Sequence, residues 1–135
     1  MPEIQAIVET AIYVDDLGGA AAFYRDVLGL VPSPGANERH VFFPVGDRML
    51  LVFNPRETRR GDTLPAHGTT GAGHFALGIR GEDLDAWRTR LGDCGVAIEQ
   101  EVEWPRGGKS LYFRDPAGNS VELITPGVWR DPPAW

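Results

Sequence analysis

Glu9-Thr-Ala-Ile-Tyr-Val14 and His74-Phe-Ala-Leu-Gly-Ile79, 65 residues apart, read as two copies of one strand. Each sets a polar residue ahead of an alternating apolar run, the period-2 pattern of a half-buried strand. Asp16-Leu17 follows the first copy and Asp83-Leu84 the second, and each pair leads into a helix-like stretch, 18–28 and 83–91. Gly29 and Gly95 close these stretches, as glycines do where φ turns positive at a helix end. Further on, His40-Val-Phe-Phe43 matches Ser110-Leu-Tyr-Phe113, and Gly46-Asp47 falls on Gly118-Asn119 as a turn pair. Each half therefore reads β-α-β-β-β. The spacing predicts strands near 5–14, 28–33, 38–44 and 48–54, then near 73–80, 96–103, 109–114 and 120–125. The expected fold class is α+β, a single domain of two βαβββ modules. Module 1 covers about 4–54 and module 2 about 73–126; a Pro-, Gly-, Thr- and Arg-rich linker, expected as an exposed loop, fills 55–72, and a C-terminal tail fills 127–135.

Composition narrows the function classes. The 13 basic residues are outnumbered by 19 acidic ones, and the longest basic run is Arg59-Arg60, so neither nucleic acid nor an anionic membrane is an expected partner. A single cysteine, Cys94, excludes an internal disulfide framework and reads as a structural thiol at a helix end. The first ten residues carry no signal-peptide pattern, no apolar run reaches the length of a membrane span, and the expected location is the cytoplasm. Gly107-Gly-Lys-Ser110 echoes a phosphate loop, but Glu103 stands where its first glycine belongs and a strand follows instead of a helix.

Strand parity separates two sheet faces. One carries Ile12, Val14, Met49, Leu51, Phe53, Phe75, Leu77, Ile79, Val121 and Leu123. It is expected to pack on helices through Phe23, Val27, Leu28, Leu84, Trp87 and Leu91. The opposite parity carries Glu9, Ala11, Tyr13, His74, Ala76, Gly78, Arg48, Leu50, Ser110, Tyr112, Ser120 and Glu122, a mixed lining suited to a cavity. On this face Glu9 corresponds to His74, and Leu50 to Glu122 at an offset of 72. If the modules pack about a pseudo-twofold axis, Glu9, His74 and Glu122 converge. Two carboxylates and one imidazole with open positions suit a divalent ion, whereas two glutamates without a cation would repel. His40 shares the parity but maps to Ser110, and His67 falls in the linker, where exposure is expected.

Three further segments carry a family resemblance. Phe23-Tyr-Arg-Asp-Val-Leu-Gly-Leu30, Gly73-His-Phe-Ala-Leu77 and Phe113-Arg-Asp-Pro-Ala-Gly-Asn-Ser-Val-Glu-Leu123 resemble signature segments of the vicinal oxygen chelate superfamily. That group includes glyoxalase I, extradiol dioxygenases, fosfomycin-modifying enzymes and bleomycin-resistance proteins. The resemblance implies a cupped mixed sheet around a metal with helices on its outer face, usually in a homodimer, and its ligand positions fall on Glu9, His74 and Glu122. Most members with three ligands have histidine at the position of Glu9; the oxygen-richer set here fits Mn²⁺, Fe²⁺ or Ni²⁺ at least as well as Zn²⁺. Glyoxalase-type isomerases resembling the bacterial enzyme take a fourth ligand at the position of Leu50, which leucine cannot supply. Fosfomycin-modifying relatives carry a similar Ser-x-Tyr, here Ser110 and Tyr112, with basic groups for the phosphonate, for which Lys109, Arg114 and Arg48 stand available.

The expected function is a divalent-metal-dependent enzyme acting on a small substrate with vicinal oxygens, the ion serving as Lewis acid. Tyr112 and His40 are the candidates for proton transfer, and Ser110, Tyr112, Arg48, Phe42, Tyr13 and Trp104 for substrate binding. The alternative is a metal-free, drug-sequestering protein of the bleomycin-resistance kind, which would have no need of the three ligands together.

Overall fold

The computed structural model describes residues 1–129, in two compact units, Met1–Gly71 and a second beginning at Ala72. The first contains β1 (Glu9–Tyr13), α1 (Leu17–Asp26), β2 (His40–Val45), β3 (Arg48–Phe53) and the short α2 (Pro55–Thr58). Its sheet has the order β1-β3-β2, with β1 parallel and β2 antiparallel to β3. The second contains β4 (His74–Gly78), α3 (Leu84–Asp93) entered by a 3-10 turn at Gly81–Asp83, β5 (Gln100–Glu103), β6 (Lys109–Arg114) and β7 (Ser120–Ile124). Its order is β4-β7-β6-β5, with β4 parallel to β7 and the other pairs antiparallel. These are the two mixed sheets with helices that the repeat predicts.

The helices start and stop where the sequence places their signals. Asp16 caps α1 by accepting the Gly19 N–H at 2.9 Å. Gly29 and Gly95 adopt φ of 71° and 70°, the left-handed conformation that ends each helical stretch without a Cβ clash. The buried stripe of α1 is Ala20, Tyr24 and Leu28, not the expected Phe23 and Val27. Tyr24 is fully buried, its ring 5.8 Å from that of Phe43. In α3 the buried residues are Leu84 and Leu91, and Trp87 is half-buried.

Two expectations about elements are corrected. Residues 28–33 form no strand. Pro32 and Pro34 have no N–H to give a ladder, and one bond, Ser33 N–H to the Phe42 carbonyl at 2.8 Å, ties this stretch to β2. The linker is not uniformly exposed: α2 buries Pro55 and Thr58, and His67 N–H donates to the Thr58 carbonyl at 3.2 Å. Of the tail, residues 130–135 lie outside the described residues.

Register shows which side chains share a face, and here the first module differs from its prediction. Val45 pairs with Arg48 across the Gly46-Asp47 turn, so Phe42 faces Leu51 and His40 faces Phe53. β1 agrees, with Ala11 beside Leu51 and Tyr13 beside Phe53. The mixed face of the first unit is therefore Glu9, Ala11, Tyr13, His40, Phe42, Met49, Leu51 and Phe53, while Arg48, Leu50 and Val52 belong to the other face. The second unit keeps its predicted parity: His74 pairs with Ser120, Ala76 with Glu122, and Tyr112 with Glu122. By register the counterpart of Glu122 is Leu51, not Leu50. The hairpins explain the slip. Two residues separate β2 from β3, whereas Asp115 to Asn119 separate β6 from β7, so aligning the turn glycines misplaces β3 by one position. A shift of one residue exchanges every side chain between faces.

The longer turn also locks β4. Asp115, 4% exposed, accepts Ala117 N–H at 3.0 Å, Asn119 N–H at 2.8 Å and Asn119 Nδ2–H at 2.9 Å. Asn119 Oδ1 in turn accepts the Gly73 N–H at 2.8 Å, and the Gly73 carbonyl accepts Ser120 N–H at 2.9 Å. Asn119→Ala removes a buried donor and acceptor and leaves Asp115 and Gly73 short of partners. It is expected to cost about 2–3 kcal/mol in urea unfolding, against a few tenths for Gln5→Ala, at an exposed residue outside every helix and strand.

Candidate metal centre

The Gly73 clamp places His74 at the start of β4, next to the centre of β7, where Glu122 stands on the same face. The His74 side chain is half exposed, while that of Glu122 is 7% exposed, and Nε2 lies 3.4 Å from Oε2. His74 Nδ1 lies 3.1 Å from the Ser120 carbonyl, which can only accept, so Nδ1 carries the proton. In the neutral ring Nε2 is then a bare lone pair. Glu122 Oε1 accepts the Ser110 hydroxyl at 2.5 Å and the Tyr112 hydroxyl at 2.9 Å. Oε2 has no such donor, so two electron-rich atoms face each other across a gap that calls for a proton or a metal ion. Donors bound at about 2.0–2.2 Å to one divalent ion stand roughly 3–3.5 Å apart, and the observed spacing fits.

Burial pushes the Tyr112 phenol up from its ordinary value, and its bond to Glu122 and the carboxylate's charge push the same way, so it holds its proton on Oε1. The Tyr112 ring also stacks beside His74, centroids 6.2 Å apart. Ser110 is fully buried and takes the Trp104 indole N–H at 2.8 Å. Of the six residues expected to meet substrate, Ser110 and Tyr112 thus bond Glu122, and Trp104 reaches it only through Ser110. Lys109 pairs with Glu103 at 2.8 Å and Arg114 with Glu99 at 2.6 Å, and each carboxylate is held below its ordinary value by the hydrogen bond and charge of its basic partner.

Glu9 belongs to the first unit, where it opens β1 as an exposed residue beside Met49. Among the described residues no group of three or more His, Cys, Asp or Glu side chains stands close enough to hold an ion. Arg48, expected to meet substrate, lies on the opposite face and pairs with Asp47 at 2.8 Å. Tyr13, His40 and Phe42 do gather, with three residues that the sequence reading missed: Phe53, His67 and Arg39. His40 stacks on Phe42 at 4.1 Å, Phe42 meets Phe53 edge-on at 5.4 Å, and the Arg39 guanidinium sits 5.8 Å over the Phe53 ring. The Tyr13 hydroxyl bonds His67 Nδ1 at 2.8 Å, and Arg39 reaches His67 Nε2 at 3.5 Å. His67 is therefore anchored and half-buried, not a free loop residue. The two-residue turn at Gly46-Asp47 was the signal for Phe53; no local signal marks His67, which arrives through the linker.

A profile of the Glyoxalase/Bleomycin resistance protein/Dioxygenase superfamily matches residues 6–123. The chain belongs to this superfamily. The crystal structure of lactoylglutathione lyase from Agrobacterium tumefaciens is 44% identical, with a TM-score of 0.88, over 94% of this chain and 98% of that one. The metallothiol transferase FosB of Shouchella clausii is 29% identical over 126 residues, 90% of this chain and 81% of that protein. Glutathione transferase FosA of Serratia marcescens is 27% identical over 120 residues, 89% of this chain and 80% of that protein. Among these relatives the superfamily member described here is an enzyme of the vicinal-oxygen-chelate type, a lyase or thiol transferase. The metal in the FosB name agrees with a donor pair suited to a divalent ion. No helix among the described residues is long and apolar enough to cross a membrane.

His40 provides a test of the first unit's cluster. Burial, and then the charge of Arg39, lower its pKa below 6.5, and its Nδ1 is buried without a partner of ordinary hydrogen-bond geometry. The folded chain keeps this ring neutral while the unfolded chain protonates it, so its contribution is present above about pH 6.5 and is lost as pH falls through the lowered folded value. His40→Gln should therefore gain on the wild type in urea midpoint between pH 7.5 and pH 5. A constant difference across that range would contradict the assignment.

Proposed function

We propose that the protein is a divalent-metal-dependent enzyme acting on a small substrate with adjacent oxygen atoms, with His74, Glu122 and Glu9 as the metal ligands. The observation that carries this reading is the facing pair of metal-ligating atoms, His74 Nε2 and Glu122 Oε2, 3.4 Å apart on one sheet face. Support for Glu9 comes from the repeat: it opens β1 as His74 opens β4. Bound to such a set, a divalent ion supplies Lewis acidity to the vicinal oxygens of a substrate and stabilises negative charge developing on them. Mn²⁺, Fe²⁺, Ni²⁺ and Zn²⁺ are the candidates. A metal-free sequestering protein has no use for a buried carboxylate with one oxygen left without a donor, so the enzyme reading is preferred.

The chain's own residues divide the remaining work. Tyr112 keeps its proton and donates it in a hydrogen bond to Glu122, which leaves His40, held neutral, as the candidate for moving a proton. Tyr13, Phe42 and Phe53 provide an aromatic wall. Within the family's repertoire we favour lyase or isomerase chemistry on a thiol adduct over thiol transfer to a phosphonate. Lys109, Arg114 and Arg48, the basic groups a phosphonate would need, are each engaged by a carboxylate. The 44% identity to the Agrobacterium lactoylglutathione lyase points the same way. Leu51, the counterpart of Glu122 in the repeat, has no donor atom to supply as a fourth ligand. We further propose that the protein works in the cytoplasm as a homodimer.

Calorimetric titration of Mn²⁺ or Ni²⁺ into metal-free protein should show about one ion per chain, with His74→Ala, Glu122→Gln and Glu9→Gln each weakening it by about tenfold or more. Metal-loaded enzyme should turn over methylglyoxal–thiol adducts in preference to catechols and fosfomycin. Absence of binding in the wild type, or binding indifferent to all three substitutions, would sink the assignment.

A further inference from the structure

Ser110 and Trp104 read from the sequence as substrate-binding residues, but their hydrogen bonds run in one direction, away from any ligand. The Trp104 indole N–H has no lone pair to offer and can only donate, and its bond to Ser110 Oγ at 2.8 Å makes that buried hydroxyl its acceptor and turns the Ser110 proton away from the indole. Ser110 is then left with one proton, and Glu122 Oε1, at 2.5 Å, takes it. Tyr112 adds a second proton to the same oxygen at 2.9 Å. Both in-plane lone pairs of Oε1 are thereby used by the protein, while Oε2 points at His74. None of these bonds leaves Ser110 or the indole N–H available to a substrate.

The relay is built into the backbone. Trp104 follows β5, where its N–H donates to the Gly108 carbonyl at 2.8 Å and its carbonyl accepts Gly107 N–H at 2.9 Å, closing the β5–β6 turn. A Cβ on Gly108 would stand 2.4 Å from a Val128 methyl and 2.8 Å from the Val128 nitrogen, so this close approach requires glycine. Lys109 N–H and carbonyl are both bonded to Thr125, which fixes the strand on which Ser110 sits. A mobile surface tryptophan would need none of this.

We propose that Trp104 and Ser110 are positioning residues that commit Glu122 Oε1 to the protein and leave Oε2 as the single oxygen offered to the metal, so that Glu122 is held as a one-oxygen ligand. The inference rests on the metal reading above. It also accounts for the burial of Ser110, which a substrate-contacting hydroxyl would not need. A carboxylate freed from the relay could turn, bind through both oxygens or swing out of reach, and affinity would fall although every ligand is still present.

The test uses Trp104→Phe, which keeps the aromatic bulk and loses the N–H, Ser110→Ala, which loses the hydroxyl, and Ser110→Thr, which restores it. Mn²⁺ affinity is read calorimetrically and the bound-ion environment by electron paramagnetic resonance, with thermal unfolding of the metal-free proteins as the control for packing. Ser110→Ala should weaken Mn²⁺ binding by about 10–100-fold and Trp104→Phe by a smaller factor, both with an altered bound-Mn²⁺ spectrum, while Ser110→Thr returns toward wild type. Folded variants that lose thermal stability but keep wild-type affinity and spectrum would overturn the relay and leave the metal site standing. A wild type that takes up no Mn²⁺, Fe²⁺, Ni²⁺ or Zn²⁺ would instead remove the metal site, and the relay's role with it.

Discussion

Asn119 is held by the buried carboxylate of Asp115 and itself holds the N–H of Gly73, one residue before His74. That side chain couples the β6–β7 turn to the first residue of β4, and the chemistry of the second unit depends on it. With Gly73 fixed, β4 lies parallel to β7 in a register that puts His74 and Glu122 on one face. A shift by one residue would send the imidazole to the face of Phe75 and Val121, where the core is apolar and no partner waits. The Asp-Pro-Ala-Gly-Asn segment thus places the His74–Glu122 pair without belonging to it.

Glu122 shows the second constraint. A carboxylate with little exposure needs its lone pairs satisfied, and here Ser110 and Tyr112 satisfy Oε1 while Oε2 faces the His74 imidazole. Saturating both oxygens with hydroxyl donors would give an internal hydrogen-bond network with no affinity for a cation. The asymmetry between Oε1 and Oε2 is what suits the group to the ligand role proposed for it.

The first unit uses the same topology differently. Where β7 carries Glu122, β3 carries Leu51, and the surrounding positions are aromatic: Tyr13, Phe42 and Phe53, with His40, His67 and Arg39 among them. The two halves of the repeat thus carry a polar sheet face in one unit and an aromatic one in the other.

Much of this was legible along the chain because it depends on local rules. Helix caps, the glycines at positive φ and the alternation of the strands are short-range effects, and they announced the repeat, both long helices and all seven strands, with an eighth expected at 28–33 that does not form. His74 and Glu122 followed from the repeat, since the second module's parity is read correctly from its own strands. What was missed depends on pairing between segments. The face of β3 is decided by the two-residue hairpin to β2, and an alignment based on turn glycines carried it one residue astray, exchanging Phe53 for Val52 and Leu51 for Leu50. The strand expected at 28–33 failed because prolines withhold the N–H groups that a ladder needs. His67 reached Tyr13 through a linker with no periodicity to follow. The amino-acid order alone thus determined the duplicated architecture and pointed to Glu9, His74 and Glu122 as candidate ligands, because dihedral preference and hydrophobic period are properties of neighbouring residues. Only tertiary structure decided that Ser110 and Tyr112 meet on one carboxylate oxygen with Trp104 behind Ser110, because which donor finds which acceptor is settled by strand register and by the competition for buried lone pairs.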